Sequence, residues 1–242
     1  MKIFVGIQKS RIVTDNPKLL KALQKLYTLK VPGAVYSTAY RRRGWDGTKK
    51  FISDTGFFRS GLLIKILSHL KKIDCIPEIE FKPKRTSTPL SKSFKNIKYY
   101  DYQEALINKA LLLGRGVIKS PTGSGKTLIM AGLIKSLEGT KMVILFNSKQ
   151  LLKQSYEFLK NICKIKNLGI CSGEGYIYGD IMMSTVQSIS KILDTHLETA
   201  EVLMVDECHE FCSGPKTLAA IESFPKASWR FGFTATVPKE PI

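Results

Sequence analysis

The 242-residue sequence has few cysteines, few acidic residues and no long apolar run. Its five cysteines show no paired CxxC spacing, which predicts free thiols in a reducing compartment rather than disulfides or a zinc centre. No stretch approaches the roughly 18 apolar residues that a transmembrane helix needs, and no signal-peptide pattern opens the chain. We therefore expect a cytoplasmic protein without a membrane partner, in the host cytoplasm if its source is a virus.

Acidic residues are scarcest in the first hundred positions. Residues 1–100 contain 22 Lys and Arg against six Asp and Glu, so they carry +16 of the total charge of +18. Lys and Arg gain affinity for phosphates by releasing condensed counterions, and this asymmetry favours a nucleic-acid-binding segment joined to a nearly neutral one. A surface that is merely solvated is the alternative, although so large a charge exceeds what solubility requires.

Composition and periodicity divide the chain into three parts. Residues 1–81 predict a small α+β domain in the order β-α-β-β-α-β, with Asn16 capping the first helix and Ser60 the second. Residues 82–98 are rich in Lys, Ser, Thr and Pro, which predicts a linker. Residues 99–242 alternate helices with short apolar strands, which predicts a parallel sheet covered by helices on both faces.

The strongest chemical signal is SPTGSGKT at residues 120–127, between the apolar strand GVIK and an apolar helix. Glycines here let backbone N–H groups turn toward phosphate oxygens, while the helix presents its positive end to the same anion. Lys126 is placed to reach the β- and γ-phosphates, and Thr127 offers its hydroxyl to Mg²⁺. We expect ATP and Mg²⁺ as cofactors, held by Pro121, Thr122, Gly123, Ser124, Gly125, Lys126 and Thr127. An ordinary glycine-rich turn is the alternative.

A second signal is VLMVDECH, in which an apolar strand ends at Asp206 and Glu207. Parallel sheets deliver ligands at the carboxyl ends of their strands, so Asp206 is suited to Mg²⁺. Glu207 would orient or deprotonate the water that attacks the γ-phosphoryl group. A lone Asp-Glu pair is usually a solvated loop, but a preceding apolar strand and a phosphate loop elsewhere in the chain favour nucleotide chemistry.

SPTGSGKT, DECH and FTAT resemble motifs I, II and III of superfamily 2 helicases. The resemblance implies an α/β fold, with a RecA-like parallel sheet behind the small basic domain, and the activity of an ATP-dependent helicase. The catalytic residues that it implies are Lys126, Asp206, Glu207 and His209. The residues that would couple ATP to the nucleic acid are Thr234 and Thr236.

Weaker motifs extend the same resemblance. Gln103 in YYDYQ stands where the family reads adenine, and Tyr100 replaces a frequent arginine, so it either stacks on the base or packs in the core. Residues 143–154 and 184–189 resemble segments that contact a nucleic-acid backbone, with Asn147 where proline is usual. A solvated helix face is the alternative for the lysines here. The implied contacts are Ser148, Lys149, Gln154, Ser184, Thr185 and Gln187.

YRRRGWDG at residues 40–47 resembles the N-terminal module of bacteriophage UvsW-type helicases, which remodel branched DNA. Adjacent arginines offer a phosphate clamp, and Trp45 offers an aromatic surface for stacking. The alternative is that Trp45 fills a small core beside a tight turn. The DNA contacts predicted in this domain are Arg41, Arg42, Arg43, Trp45, Lys49 and Lys50.

These observations predict a monomeric ATP-dependent helicase that unwinds or remodels branched DNA, such as forks and Holliday junctions, largely without sequence preference. The biological setting would be recombination, repair or replication. An RNA helicase, a double-strand translocase and a module that binds nucleotide and nucleic acid without turnover are the alternatives. DECH differs from the DEAD tetrapeptide that is usual among RNA helicases, which favours DNA.

Superfamily 2 motors close two RecA-like domains around ATP, and the second domain supplies arginine fingers. Since the sequence ends at Ile242, shortly after the third motif, we expect residues 1–242 to lack that domain. An arginine finger is worth on the order of 10³–10⁵ in rate, so this chain alone should hydrolyse ATP very slowly. A phosphate-release assay with DNA tests the expectation, and robust DNA-stimulated turnover contradicts it.

Overall fold

The structure is a computed structural model, and it describes residues 1–81, 92–94, 97–121, 123–192, 196, 198–211 and 215–236. The chain divides into two compact units, Met1–Lys84 and Arg85–Ile242. Most of the segment predicted as a linker lies outside the described residues, as does Cys212. Among the described residues, no helix combines the length and apolar character needed to cross a membrane.

The first unit is a small α+β domain. In chain order its elements are β1 (Lys2–Val5), β2 (Lys9–Val13), α1 (Pro17–Leu26), β3 (Thr28–Lys30), α2 (Thr38–Arg41), β4 (Thr48–Lys50), β5 (Phe57–Arg59), α3 (Leu63–Lys72) and β6 (Glu78–Phe81). Four of the strands form one sheet in the order β5-β2-β1-β6, in which only β1 and β6 are parallel. The strands β3 and β4 pair in a separate ladder.

The capping signals of the first unit differ in outcome. Asn16 caps α1 as predicted, because its side-chain oxygen accepts a hydrogen bond from the backbone N–H of Leu19 at 3.1 Å. Ser60 does not cap the predicted second helix, which is α3 in the structure and has Leu62 at its N-cap, so that prediction was wrong. Its hydroxyl instead donates to the carbonyl of Gly6 at 2.8 Å and lies 2.7 Å from the hydroxyl of Ser10, which ties β5 to the β1–β2 turn. The sequence reading also missed β2, which pairs with β1 as a hairpin.

The second unit is an α/β domain with a seven-stranded sheet. In chain order its elements are α4 (Asp101–Leu113), β7 (Arg115–Lys119), α5 (Lys126–Ser136), β8 (Met142–Phe146), α6 (Lys149–Glu157), β9 (Leu168–Ser172), β10 (Gly175–Ile177), β11 (Ile181–Thr185), β12 (Val202–Val205), α7 (Cys208–Phe211), α8 (Pro215–Glu222) and β13 (Trp229–Thr234). The strands lie in the order β10-β9-β11-β8-β12-β13-β7, and every neighbouring pair is parallel except β10 with β9.

Helices cover both faces of this sheet, as the residues of the central strand β8 show. Ile144 and Phe146 join a core that includes residues of α4 and α5, whereas Val143 and Leu145 join a second core with Phe211 of α7. All five residues of β8 are buried, which is expected of a parallel strand that is covered on both sides. The predicted RecA-like parallel sheet with helices on both faces, preceded by a small α+β domain, is confirmed.

Close packing of α4 against α5 depends on Gly132. A β-carbon at this position would lie 2.5 Å from the Cδ1 atom of Ile107 and 2.8 Å from the Tyr99 hydroxyl, and both residues are buried. We expect Gly132→Ala to lower the free energy of unfolding by about 1–3 kcal/mol, because the overpacking outweighs the better helix propensity of alanine. Chemical denaturation measures the change. Gly175→Ala is the control, since no atom lies within 4 Å of its added β-carbon, and equal stabilities for the two variants would contradict the prediction.

Candidate nucleotide-binding site

The sheet order brings the three strongest motifs to one edge. Strands β12, β13 and β7 are neighbours and parallel, so their carboxyl ends point the same way. The loop at residues 120–127 follows β7, Asp206 and Glu207 follow β12, and residues 234–236 end β13 and follow it. This edge is where open α/β sheets bind their ligands.

The loop after β7 has the backbone that a phosphate cradle requires. Gly123 and Gly125 have φ angles of +80° and +78°, a region that favours glycine. A β-carbon on Gly125 would also lie 2.5 Å from the side-chain nitrogen of Gln103, so a larger residue would collide there as well. Gly125 is the N-cap of α5, which begins at Lys126 and points its positive end at the loop. Thr122 lies outside the described residues.

Side chains from α4 hold this loop through Ser124. The carbonyl of Ser124 accepts a hydrogen bond from the Tyr102 hydroxyl at 2.7 Å and another from the Gln103 amide at 3.1 Å. The Ser124 hydroxyl donates to the carbonyl of Pro121 at 2.6 Å and also contacts the hydroxyl of Ser120. Tyr102 was missed by the sequence reading, although its position next to Gln103 in the first turn of α4 was a signal for it.

Gln103, the predicted adenine reader, is buried and already bonded on both sides of its amide. Its oxygen accepts from the backbone N–H of Tyr100 at 3.0 Å, while its nitrogen donates to Ser124. Tyr100 is 70% exposed and stacks on Tyr102 with ring centroids 5.8 Å apart, so it is not a core residue. A planar base could therefore approach Tyr100 from the solvent side beside Gln103.

Lys126 and Glu207 form an ion pair in which both side chains are largely buried. Burial opposes ionisation of Glu207, but the hydrogen bond and the charge of Lys126 hold the pKa of Glu207 below its ordinary value. Glu207 also has a left-handed backbone with φ of +45°, which costs energy in a residue with a β-carbon. The carboxylate is therefore charged and rigidly placed beside the phosphate loop.

Asp206 has the opposite electrostatic character. Burial raises the pKa of its carboxyl, and the nearby charge of Lys126 only partly offsets this effect. In the part of the chain that the structure describes, its Oδ1 atom is buried and accepts no hydrogen bond. Buried carboxylate oxygens need a donor or a cation, and Thr127 lies in the first turn of α5 at the same edge. These residues fit Mg²⁺ bound to a nucleotide.

Two further motif residues are in contact. The Nδ1 atom of His209 lies 2.8 Å from the Thr234 hydroxyl and 3.4 Å from the Oε2 atom of Glu207. The same Thr234 hydroxyl donates to the carbonyl of Thr236 at 2.7 Å and accepts from its N–H at 3.1 Å. The imidazole of His209 thus lies between the end of β13 and Glu207, whose buried Oε2 atom accepts no hydrogen bond from the described residues.

The residues predicted to contact nucleic acid in this unit are placed differently from one another. Lys149, Gln154 and Gln187 are exposed, and the Ser148 hydroxyl caps α6 by accepting from the N–H of Leu151 at 3.1 Å. Asn147, which stands where proline is usual, donates its side-chain amide to Glu210 of α7. This contact connects the segment after β8 with the helix that follows Asp206 and Glu207.

Ser184 and Thr185 are fully buried, which differs from the contact predicted for their side chains. The Ser184 hydroxyl donates to the carbonyl of Thr185 at 3.0 Å, and the Thr185 hydroxyl donates to that of Ser188 at 3.1 Å. Both hydroxyls shape the turn after β11 rather than face solvent. Gln187 is therefore the residue of this motif that is accessible.

The predicted contacts of the first unit all reach solvent. The three arginines 41–43 and the lysines 49 and 50 are exposed. Trp45 is partly exposed and lies outside the buried core of the unit, so it does not fill that core. Lys49 lies 5.6 Å from the centre of the Phe51 ring, and Lys50 lies 4.0 Å from Asp54.

Comparison with known proteins agrees with this geometry. Residues 96–239, more than half of the chain, match the family model described as the type III restriction enzyme, res subunit. The chain belongs to this helicase family, and the predicted membership of superfamily 2 is confirmed. A curated relative, "Putative helicase 22" of Sulfolobus islandicus filamentous virus, is 32% identical over 87 residues, which cover 28% of this chain and 16% of that protein.

Among solved structures, the fold is similar to that of the UvsW helicase from bacteriophage T4. The TM-score is 0.76 at 19% identity, and the match covers 98% of this chain and 93% of the solved one. A longer UvsW structure matches with the same TM-score, and this chain spans about half of it, 53%. A hypothetical ATP-dependent RNA helicase from Sulfolobus tokodaii matches 60% of this chain and 48% of its own, at 20% identity and a TM-score of 0.51.

One oxygen of the buried Asp206 carboxylate has no hydrogen-bond donor among the described residues, which disfavours its charged form. We expect Asp206→Asn to raise the free energy of unfolding by about 1–3 kcal/mol at neutral pH, because it removes a buried charge of which one oxygen lacks a donor. The gain should shrink as the pH falls through the raised pKa of Asp206, since the native carboxyl then becomes neutral as well.

Thermal unfolding between pH 4 and pH 8, with and without Mg²⁺ and a nucleotide, measures this effect. The variant should also lose the stabilisation that Mg²⁺ and nucleotide give to the native protein. Asp180→Asn, directly before the amino end of β11, is the control. A variant no more stable than the native protein at neutral pH would contradict the prediction.

Proposed function

We propose that this chain is the ATP-binding part of an ATP-dependent DNA helicase that unwinds or remodels branched DNA, such as forks and Holliday junctions, in recombination, repair or replication. The observation that carries the proposal is the contact of Lys126 with Glu207 at one edge of the sheet, where the described residues give the buried Oδ1 atom of Asp206 no hydrogen-bond donor. A lysine, a general base and a cation ligand are the groups that phosphoryl transfer to water needs.

The bound Mg²⁺–ATP would supply the phosphoanhydride bond whose hydrolysis drives the motor. Lys126 would hold the β- and γ-phosphates, while Thr127 and Asp206 would hold the metal ion. Glu207 would orient the water and accept its proton. The charge of Lys126 is matched by Glu207, so phosphate oxygens that engage Lys126 would leave Glu207 available as a base.

Coupling to the nucleic acid is supported by two contacts at the same edge. His209 lies between Glu207 and Thr234, so a change at the γ-phosphate position can reach the end of β13 through one side chain. The Asn147–Glu210 contact links α7 to the segment that carries Ser148. The exposed residues Lys149, Gln154 and Gln187 would then contact the backbone of the nucleic acid, which fixes its register without reading sequence.

A nucleic-acid partner is supported by the first unit. Its exposed arginines and lysines suit phosphates in any sequence, as a motor on branched DNA requires. ATP and Mg²⁺ as cofactors, a monomeric state and a preference for branched DNA belong to this proposal.

Glu207→Gln in the full-length protein tests the motor. We expect ATP to bind as well as to the native protein, because the amide has the same shape, while hydrolysis and unwinding fall by at least about 100-fold without the base. Binding is measured with a fluorescent nucleotide and hydrolysis by phosphate release. Glu174→Gln, an exposed residue in the β9–β10 turn, is the control. Unchanged unwinding by Glu207→Gln would show a protein that binds without turnover.

The substrate is tested by comparing four-way junctions, forks, linear DNA duplexes and RNA duplexes of equal length with ATP. Faster processing of the branched DNA substrates supports the proposed function. Equal rates on junctions and linear duplexes would contradict the branched-DNA part, and faster RNA unwinding would contradict the DNA part.

A further inference from the structure

The first unit contains an open cavity of about 650 Å³ that the nucleotide site does not use. Its volume is within the roughly 300–1,000 Å³ of sites that bind small molecules. The residues around it are two arginines, two aromatic side chains and one carboxylate, with smaller neighbours, and they are Val35, Tyr40, Arg41, Arg43, Gly44, Trp45 and Asp46.

The arginines around the cavity are fixed by the end of the short helix α2. The backbone N–H of Arg43 donates to the carbonyl of Tyr40 at 2.9 Å, and that of Gly44 donates to Ala39 at 3.0 Å. Arg43 adopts a left-handed backbone with φ of +54°. Helices usually place glycine at such a position because a β-carbon is strained there.

The chain therefore carries arginine where its own fold favours glycine, with Gly44 one position later. Residues with strained backbones of this kind cluster at active sites and ligand-binding sites. Arg43 is exposed and lines the cavity, so its guanidinium is available to a ligand in the cavity.

The only polar group of the Trp45 side chain already makes a hydrogen bond within the protein. Its indole N–H donates to the carbonyl of Thr48 at 2.7 Å. Asp46 fixes the same turn, because its carboxylate accepts from the N–H of Thr48 at 2.9 Å and from its hydroxyl at 2.7 Å. An indole has one donor and no acceptor, so what the partly exposed Trp45 can still offer is its apolar ring. Such a ring favours a stacking partner.

We infer that this cavity binds one unpaired nucleotide of a single strand, with its base stacked on Trp45 and its flanking phosphates held by Arg41 and Arg43. Bases within a duplex are stacked on each other and do not reach such a ring, whereas unpaired bases do. The inference rests on the proposed function, because it names the unpaired nucleotides of a branched substrate as what the first unit recognises. Single-stranded DNA and single-stranded RNA share the chemistry.

Quenching of Trp45 fluorescence measures ligand binding in this cavity. The protein has two tryptophans, and Trp229 is buried in the core of the second unit, so Trp229→Phe leaves Trp45 as the reporter. Without ATP, a thymidine oligonucleotide or a uridine oligonucleotide should quench Trp45, and a blunt duplex or an abasic strand of equal length should not. The difference between native protein and Trp45→Phe gives the same readout without the Trp229 substitution. Equal quenching by the duplex or the abasic strand would overturn the inference.

The two nucleic acids are separated in the same titration. Tighter quenching by the thymidine strand assigns the cavity to DNA, and tighter quenching by the uridine strand assigns it to RNA, with an unpaired base as the ligand in both cases. Trp45→Ala should weaken binding of the preferred single strand by about ten-fold and leave duplex binding unchanged.

Arg43→Gly separates a role in binding from a role in folding. Glycine relieves the left-handed backbone, so the melting temperature should stay the same or rise, while single-strand affinity falls several-fold and the salt dependence weakens by about one phosphate contact. Arg42→Ala removes the same charge outside the cavity, and it should weaken duplex and single-strand binding alike.

If Arg43→Gly and Arg42→Ala had the same effect on both nucleic acids, the arginines would be a charged surface only and the inference would fail. A lower melting temperature for Arg43→Gly would also overturn it. These measurements use no ATP, so they can fail while the native protein still unwinds DNA. Conversely, a native protein that never unwinds DNA would refute the proposed function and leave the cavity result standing.

Discussion

The ion pair between Lys126 and Glu207 is the contact on which the second unit depends for its chemistry. The two residues are separated by 81 positions and meet because β7, β13 and β12 are adjacent and parallel. Both side chains are largely buried, and each charge is compensated by the other. A ligand that replaces Glu207 as the partner of Lys126 must supply negative charge of its own, as a triphosphate does.

The groups around this pair are arranged at a cost in stability. Asp206 retains a buried oxygen without a donor, and Glu207 has a strained backbone. Both features would be unfavourable in a site that served only packing, and a buried carboxylate oxygen without a donor suits a bound cation. His209 extends the arrangement to Thr234, so the phosphate loop, the acidic pair and the end of β13 form one connected group.

The two units differ in how they bury their strands and in where they place their charged side chains. The second buries its strands between two layers of helices and keeps its charges at one sheet edge. The first has a small core and displays arginines and a tryptophan on a turn that Thr48 and Asp46 hold in place. The proposed function assigns phosphate binding to the nearly neutral unit and nucleic-acid binding to the basic unit.

Local sequence alone determined the Asn16 cap, the parallel sheet and the order of the three motifs, because capping and alternation are encoded within a few neighbouring residues. It also singled out Lys126, which lies at the end of a glycine-rich loop between an apolar strand and a helix, and the pair Asp206 and Glu207, which directly follows an apolar strand. Only the tertiary structure decided that Ser60 ties a turn, that Ser184 and Thr185 are buried, and that Tyr102 holds the phosphate loop. The hydroxyls of Ser60 and Tyr102 bond to groups far away in the sequence, and the burial of Ser184 and Thr185 depends on the elements packed around the end of β11, so neighbouring residues encode neither outcome.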